Sequence, residues 1–276
     1  MFSKILVGTD GSDTASVAVD HAAWLAERVG AELLIVSAYR PVGGDVDTPL
    51  GRTSDHTEDD RARAILEHEQ KRHGDRVAVR TILQEGNPAD AILDVAEEEG
   101  VDLIIVGNKG MTGGKRFLIG SVPNNVSHHA PCHVLIVHTA WAERARAEEL
   151  ARVPGYERIL IGTDGSPTAG GAVEVGTELA GAVGAEVLLL FVGDAARGGE
   201  VLEQAAADIG DRVPVSSNTA EGDPADRIID VAVRESCDLI VVGNKGMTGT
   251  RRFLLGSVPN NVSHHAPGNV LIAKTT

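Results

Sequence analysis

Short apolar runs alternate with amphipathic segments along this chain. Residues 5–7 are all apolar and are followed by Gly8, which is typical of a strand that is buried on both faces of a sheet. Residues 14–29 have apolar side chains at helical spacing and end at Gly30, so they predict a helix that Ser12 or Asp13 caps. The alternation continues with predicted strands at 33–36, 77–83, 103–106 and 134–137, and with predicted helices at 58–73 and 88–99.

Strict alternation of strand and helix favours right-handed crossovers and a parallel sheet that has helices on both faces. Five strands in one open sheet predict the doubly wound, Rossmann-like order 3-2-1-4-5. In this order the connections diverge between strands 1 and 4, and ligands bind there at the carboxyl ends of the strands. The fold class that we predict is therefore α/β.

The whole pattern occurs twice. Residues 4–12 return at 158–166, and residues 102–136 match 238–272 with only six differences in 35 positions. The offset between matching residues falls from 154 at Asp10 to 136 at Gly120, so the second copy is 18 residues shorter. The missing stretch corresponds to a Gly-, Pro- and Asp-rich loop at 41–50 of the first copy. We predict two tandem domains, at 1–140 and 157–276, joined by a linker at 141–156 whose middle, 141–152, forms a short charged helix.

Composition and charge exclude several classes of function. The chain has 25 Lys and Arg against 40 Asp and Glu, a formal charge of -15, which opposes binding to nucleic acids and anionic membranes. No apolar run approaches the roughly 20 residues of a membrane span, and the first residues do not resemble a signal peptide. Two cysteines cannot form a disulfide framework. We therefore expect a cytoplasmic protein.

A glycine-rich segment follows strand 4 and carries the strongest chemical signal. Its pattern is Gly, two residues, Gly, nine residues, Gly-Ser, and the second copy repeats it. Ser121 begins the next helix, whose free N–H groups and positive dipole end favour a phosphate. Lys109, Lys115 and Arg116 add positive charge here, although such cations are often only solvated. The segment is not a P-loop, and no Gly-x-Gly-x-x-Gly follows strand 1. A flexible connection without a ligand is the alternative interpretation.

The glycine pattern of both copies resembles the pattern found in the ATP-binding branch of the universal stress protein family. The resemblance covers both copies and leaves out mainly the linker. It implies that the glycine segment and Gly120-Ser121 hold the phosphates and ribose of ATP, with Mg²⁺ bound through the phosphates. It also implies that Gly8, Thr9 and Asp10 lie beside the adenosine.

The resemblance further implies that Ala38 packs on the adenine. Pro123 departs from the small hydroxyl residue expected at its position. The binding residues expected in the first copy are Gly8, Thr9, Asp10, Ala38, Val106, Gly107, Lys109, Gly110, Arg116, Gly120, Ser121 and Val122. Those expected in the second copy are Gly162, Thr163, Asp164, Val192, Val242, Gly243, Lys245, Gly246, Arg252, Gly256, Ser257 and Val258.

Other candidate residues have simpler interpretations. Asp10 could be only a turn residue in Asp-Gly-Ser. Adjacent histidines at 128–129 and 264–265 project about 100° apart on a helix and cannot share one metal ion, so no protein metal site is predicted. Cys132 and Cys237 do not match between the copies and are interpreted as packing residues. No paired carboxylates or Ser–His–Asp set occurs in both copies, so no catalytic residue is assigned.

The leading hypothesis is a cytoplasmic, ATP-binding stress-response protein with two nucleotide sites and without strong catalysis, at most slow ATP hydrolysis. An unknown protein partner would recognise its nucleotide-bound state. We expect the strand 5 edges at 134–137 and 270–273 to pair, within the chain or in a homodimer. One alternative is an ATP-using enzyme of the related adenylating or ATP-pyrophosphatase fold. Residues 9–12, Thr-Asp-Gly-Ser, lack the Ser-Gly-Gly-x-Asp-Ser loop of those enzymes. The other alternative is an interaction module that binds no nucleotide.

Overall fold

The computed structural model describes residues 1–40, 58–108, 119–138, 155–245 and 255–275. The elements of the first copy are β1 (Lys4–Gly8), α1 (Asp13–Val29), β2 (Glu32–Tyr39), α2 (Glu58–His73), β3 (Val79–Glu85), α3 (Pro88–Glu99), β4 (Leu103–Gly107), α4 (Ser121–His129) and β5 (His133–Val137). Those of the second copy are β6 (Arg158–Gly162), α5 (Pro167–Val183), β7 (Glu186–Val192), α6 (Ala195–Ile209), β8 (Val215–Ala220), α7 (Pro224–Arg234), β9 (Leu239–Gly243), α8 (Ser257–His265) and β10 (Asn269–Ala273).

Local sequence sets the ends of the helices. The Ser12 hydroxyl accepts from the N–H of Ala15 and begins α1, and Asn87 caps α3 in the same way before a proline in the first turn. Gly30 and Gly100 end these helices with φ of 71° and 59°, a left-handed conformation that glycine adopts without steric cost.

One ten-stranded sheet runs through both copies, in the order β3-β2-β1-β4-β5-β10-β9-β6-β7-β8. Each copy therefore has the predicted order 3-2-1-4-5, which confirms the fold class. Pairing is parallel within each copy and antiparallel between β5 and β10, where Leu135 lies opposite Leu271. The predicted pairing of the strand 5 edges thus occurs within the chain. Among the described residues, no helix is both long and apolar enough to span a bilayer.

Two hydrophobic layers cover the faces of the sheet. Adjacent residues on a strand point to opposite faces, so Ile5 contributes to the layer under α1 and Leu6 to the layer under α3. Helices α1, α2, α5 and α6 pack on the first face, and α3, α4, α7 and α8 pack on the second. Both faces are therefore covered, which explains why the strands are almost continuously apolar.

Side chains also join the copies beside the β5–β10 pair. The hydroxyl of Tyr156, which precedes β6, lies 2.8 Å from Nε2 of buried His21 on α1. In addition, Nε2 of His128 lies 3.2 Å from Oδ1 of Asn260, and the reciprocal pair, His264 and Asn124, is 3.0 Å apart. Helices α4 and α8 are thus in direct contact.

Some predicted boundaries differ from the observed ones. Strand β2 continues to Tyr39, beyond the predicted end at 36, because its last residues pair with β3 up to Glu85. Strand β3 begins at Val79, two residues later than predicted. The predicted loop at 41–50 and the predicted helix at 141–152 lie outside the described residues. The domain limits 1–140 and 157–276, with the linker 141–156, remain our proposal.

Candidate functional site

A crevice of about 640 Å³ opens where the carboxyl ends of β1 and β4 diverge, and we call it crevice 1. Gly8 ends β1 on one side, and Gly107 ends β4 on the other. A β-carbon at Gly8 would lie 2.5 Å from Cδ1 of Ile92 on α3, so any larger residue here would have to displace the end of that side chain. The backbone at the floor of crevice 1 therefore approaches its neighbours closely and leaves the space above the strand ends open.

Thr9 and Asp10 form a tight turn at the edge of crevice 1. The N–H of Thr9 donates to the Val36 carbonyl at 2.9 Å, which continues the pairing of β1 with β2. Oδ1 of Asp10 accepts from the N–H of Ser12 at 3.0 Å and from its hydroxyl at 2.5 Å. The Asp10 carboxylate thus has the turn role that the simpler interpretation expected, and it also lines the crevice.

Helix α4 begins at the opposite wall of crevice 1. Its N-cap is Gly120, which has no side chain to accept from the first turn, so the N–H groups of Ser121 and Val122 are not capped by it. The N–H of Gly120 donates to the carbonyl of buried Asn108 at 2.8 Å. This bond ties together the two ends of the glycine-rich segment and fixes the start of α4 beside β4.

The structure brings the predicted residues of the first copy together. All nine of those that it describes line crevice 1, namely Gly8, Thr9, Asp10, Ala38, Val106, Gly107, Gly120, Ser121 and Val122. Lys109, Gly110 and Arg116 lie outside the described residues.

Sequence reasoning missed one side of crevice 1. The β2 end contributes Tyr39 and Arg40, the start of α2 contributes Glu58, and the turn before α3 contributes Gly86 and Asn87. The Arg40 N–H donates to the Glu58 carboxylate at 3.0 Å, which joins the first two of these elements. A usable signal was present, because the Asn-Pro helix start follows strand 3 and therefore lies at the same edge of the sheet. Ala15, Val36, Pro88, Ile92 and Pro123 complete the wall.

The second copy has a matching but much smaller space of about 120 Å³, which we call crevice 2. Its walls include eight of the predicted residues, namely Gly162, Thr163, Asp164, Val192, Val242, Gly243, Lys245 and Val258. The predicted Gly256 and Ser257 are not among the wall residues of crevice 2. Gly246 and Arg252 lie outside the described residues. Sequence reasoning missed Ala169, Leu190, Pro224, Ile228 and Pro259.

One side-chain contact lies beside crevice 2. The hydroxyl of Thr168 donates to the carbonyl of Lys245 at 2.9 Å and holds that residue against the start of α5. On the α6 side, the guanidinium of Arg197 lies 6.0 Å from the centre of the Phe191 ring and 3.4 Å from the Asp164 carbonyl. These contacts bring α5 and α6 close to the strand ends.

A family model described as the Universal stress protein family matches residues 1–138, 155–208 and 196–274. The chain belongs to this family. Universal stress protein Rv1636 of Mycobacterium tuberculosis is 36% identical over 148 residues, which are 50% of this chain and 97% of that protein. Universal stress protein Rv2005c of the same organism is 26% identical over 298 residues and matches 98% of this chain and 96% of its own length. The latter match covers both copies.

A solved universal stress protein from Archaeoglobus fulgidus has the same fold. It superposes with a TM-score of 0.67 at 19% identity and covers 98% of each chain. At this level of identity the likeness concerns the fold, and it extends over both copies of this universal stress protein.

The histidine pairs and cysteines lie away from the crevices in this family member. His129 and His265 contact backbone carbonyls of their own helices, at 2.9 Å each, while His128 and His264 join the copies. Within the described part of the chain, no group of three or more His, Cys, Asp or Glu side chains could hold a metal ion. Burial raises the pKa of both cysteine thiols to about 12, so neither is a reactive thiolate near neutral pH.

Proposed function

We propose that this universal stress protein binds ATP in crevice 1 and that an unknown protein partner recognises the nucleotide-bound state. The volume of crevice 1 carries the proposal, because about 640 Å³ lies within the range of roughly 300–1,000 Å³ that is usual for small-ligand sites. The space also lies between strand ends 1 and 4, where ligands bind in doubly wound sheets.

The start of α4 would hold the phosphates. The N–H groups of Ser121 and Val122 supply hydrogen-bond donors, and the positive end of the helix dipole adds attraction for an anion. Gly120 lets the ligand approach this backbone, because no side chain stands in front of it. We assign Lys109, Gly110 and Arg116 to the same phosphates from their place in the sequence pattern.

The adenosine would lie toward the ends of β1 and β2. Backbone groups of Gly8 and Thr9, together with the Asp10 carboxylate, border this part of crevice 1, and Ala38 offers a small apolar surface for the base. Magnesium would bind through the phosphates.

Nucleotide release and titration would test this proposal. The purified protein is denatured, any released nucleotide is identified by mass, and ATP is then titrated into nucleotide-free protein by calorimetry. We expect ATP binding with turnover below about one per minute, compared with roughly 1–10³ per second for typical enzymes. Rapid product formation would support the enzyme alternative, and absence of binding would overturn the proposal.

A substitution at the phosphate end provides a sharper test. Gly120→Val should abolish binding, because the three carbons of the valine side chain would stand between the ligand and the first N–H groups of α4. The backbone of Gly120 is extended, with φ of -70°, so valine can adopt it. Thermal unfolding and circular dichroism verify that the variant folds. Unchanged ATP affinity in folded Gly120→Val would disprove the assignment of the phosphates to α4.

A further inference from the structure

The two ends of the glycine-rich segment meet at Asn108, whose side chain is itself held in place. Asn108 follows β4 and is buried. Its backbone N–H donates to the Val137 carbonyl at 2.9 Å, and its own carbonyl accepts from the N–H of Gly120 at 2.8 Å. Its side-chain Nδ2 donates to Nδ1 of buried His138, the residue after β5, at 3.3 Å. The start of α4 is therefore fixed through Asn108 to the end of β5.

The second copy in turn holds His138. The backbone N–H of His138 lies beyond the last residue of β5 and donates to Oδ1 of Asn269, the first residue of β10, at 2.9 Å. Asn269 is completely buried, at 0% exposed. A buried backbone N–H needs an acceptor, and here a side chain of the other copy provides it. A continuous series of hydrogen bonds thus leads from Asn269 through His138 and Asn108 to Gly120.

A matching series leads from the first copy into the second. The N–H of Lys274, the residue after β10, donates to Nδ1 of His133 on β5 at 3.1 Å. The hydroxyl of the next residue, Thr275, donates to Oδ1 of buried Asn244 at 3.1 Å. The carbonyl of Asn244 accepts from the N–H of Gly256 at 2.9 Å, as Asn108 does for its own glycine.

The residues that cross between the copies differ, but their chemistry does not. His133 and Asn269 occupy matching positions and are among only six differences in 35 compared residues. Each nevertheless offers a side-chain acceptor to the first backbone N–H after strand 5 of the other copy. Two unlike side chains thus make the same contact, which indicates that the contact itself matters at both phosphate ends.

We propose that Asn269 of the second copy is a positioning residue for ATP in crevice 1. Asn269, His138 and Asn108 are not among the wall residues of crevice 1, so they act on the ligand only through Gly120 and the first N–H groups of α4. Supporting hydrogen bonds behind a binding group fix its geometry, and their loss weakens binding without removing a ligand contact. This inference rests on the proposed function and adds that the phosphate end of the first copy is incomplete without the second.

Removal of the acceptor tests the inference. ATP is titrated calorimetrically into the full chain and into Asn269→Leu, which has a side chain of similar size but no acceptor. We expect the dissociation constant to rise about two- to tenfold, which corresponds to the usual net contribution of one hydrogen bond. Both titrations are repeated with Gly256→Val added, so that the start of α8 and crevice 2 do not contribute.

The possible results separate the two proposals. Unchanged affinity in folded Asn269→Leu would overturn the inference and leave the proposed function intact, whereas no ATP binding by the original protein would overturn both. Thermal unfolding establishes that each variant folds. If Asn269→Leu does not fold, Asn269→Ala, which adds no atoms, replaces it in every comparison.

A double-substitution cycle distinguishes positioning from general destabilisation. Asn108→Ala removes the amide that His138 holds and should weaken ATP binding by a similar factor. If Asn269 acts through Asn108, Asn269→Leu added to Asn108→Ala should raise the dissociation constant no further. Factors that multiply would show that the two residues act separately, and this result would contradict the inference.

The first copy supplies a rescue variant. The rings of Phe2 and His133 lie 5.8 Å apart, and Tyr156 is the residue that corresponds to Phe2. Tyr156→Phe with Asn269→His therefore reproduces this pair in the second copy and retains a side-chain acceptor. Tyr156→Phe alone is the matched control, because it weakens the same region of the interface and keeps Asn269. We expect both proteins to bind ATP as tightly as the original, and weaker binding by either folded variant would refute the positioning role.

Discussion

Replacing Glu69 alone should destabilise the protein much more than replacing Glu69 and His73 together. Both side chains are buried between α1 and α2, at 1% and 4% exposed. Arg72 contacts Glu69 at 2.7 Å and Asp20 at 2.6 Å, and Nε2 of His73 lies 3.2 Å from Asp20 and 3.6 Å from Glu69. The four groups thus form one charged cluster, in which each buried charge depends on its partners.

The second copy shows how the same position packs without charge. By the offset of 136, Glu69 corresponds to Ala205 and His73 to Ile209, which are both buried in the hydrophobic layer. Removing one member of a buried ion pair costs about 3–5 kcal/mol, whereas replacing the whole pair by packed apolar residues is often neutral or stabilising. Arg72 keeps its contact with Asp20 in either variant.

We therefore expect about 3 kcal/mol of destabilisation for Glu69→Ala. Glu69→Ala with His73→Ile should lie within about 1 kcal/mol of the original protein or be more stable. At about 2–4 °C per kcal/mol, the single variant should lose about 6–12 °C in its unfolding midpoint. Circular dichroism during heating at pH 6 measures the unfolding midpoints of both variants. A double variant that is as unstable as the single one would refute the reasoning.

The pH dependence adds an independent readout. The carboxylates of Asp20 and Glu69 raise the pKa of His73 above its ordinary value. Burial acts to raise the pKa of both carboxyls, but His73 and Arg72 act more strongly and lower it. The histidine contribution is therefore complete below about pH 6.5 and is lost as the pH rises through the raised pKa. The carboxylate contribution is lost as the pH falls below about 4. As the pH rises above 6.5, the double variant should lose less stability than the original protein, because it lacks His73.

Three further results are expected. Gly8→Ala should destabilise the protein by about 1–3 kcal/mol, because the new β-carbon would lie 2.5 Å from Cδ1 of Ile92. Gly162→Ala should destabilise it less, because its β-carbon would lie 3.2 Å from Cδ1 of Ile228, and thermal unfolding of the two variants compares the losses. Tyr156→Phe removes a hydroxyl 2.8 Å from buried His21, whose pKa burial lowers to about 4, and urea unfolding should reveal a loss of about 1–3 kcal/mol. The Cys132 thiol should react with a disulfide reagent at pH 8 far more slowly in the folded protein than in urea, and equal rates would contradict its raised pKa.

The strand order and helix ends could be predicted because they depend on short-range patterns. Gly30 and the Asn87-Pro88 start mark helix boundaries within a few residues of sequence, and the apolar runs are unambiguous. The extension of β2 to Tyr39 could not be predicted in this way, because it depends on pairing with β3, a distant segment.

The candidate site was predictable in its backbone and not in its volume. Glycines and the start of α4 repeat in both copies, so the motif alone predicts two equivalent crevices. The two crevices nevertheless differ in volume, about 640 Å³ against about 120 Å³, because the volume depends on how side chains from separate elements pack around each space. A pattern of residue types does not contain that information.

Because β5 pairs antiparallel with β10, two versions of one fold share a continuous sheet within a single polypeptide. Two identical chains associated in this way would change together, since every substitution would appear in both halves. Here the second half is 18 residues shorter and has Leu190 where the first has Val36, while the first half has Glu69 and His73 where the second has Ala205 and Ile209. Covalent linkage thus released each half from the symmetry of its partner, and the halves could evolve separate duties without losing their interface.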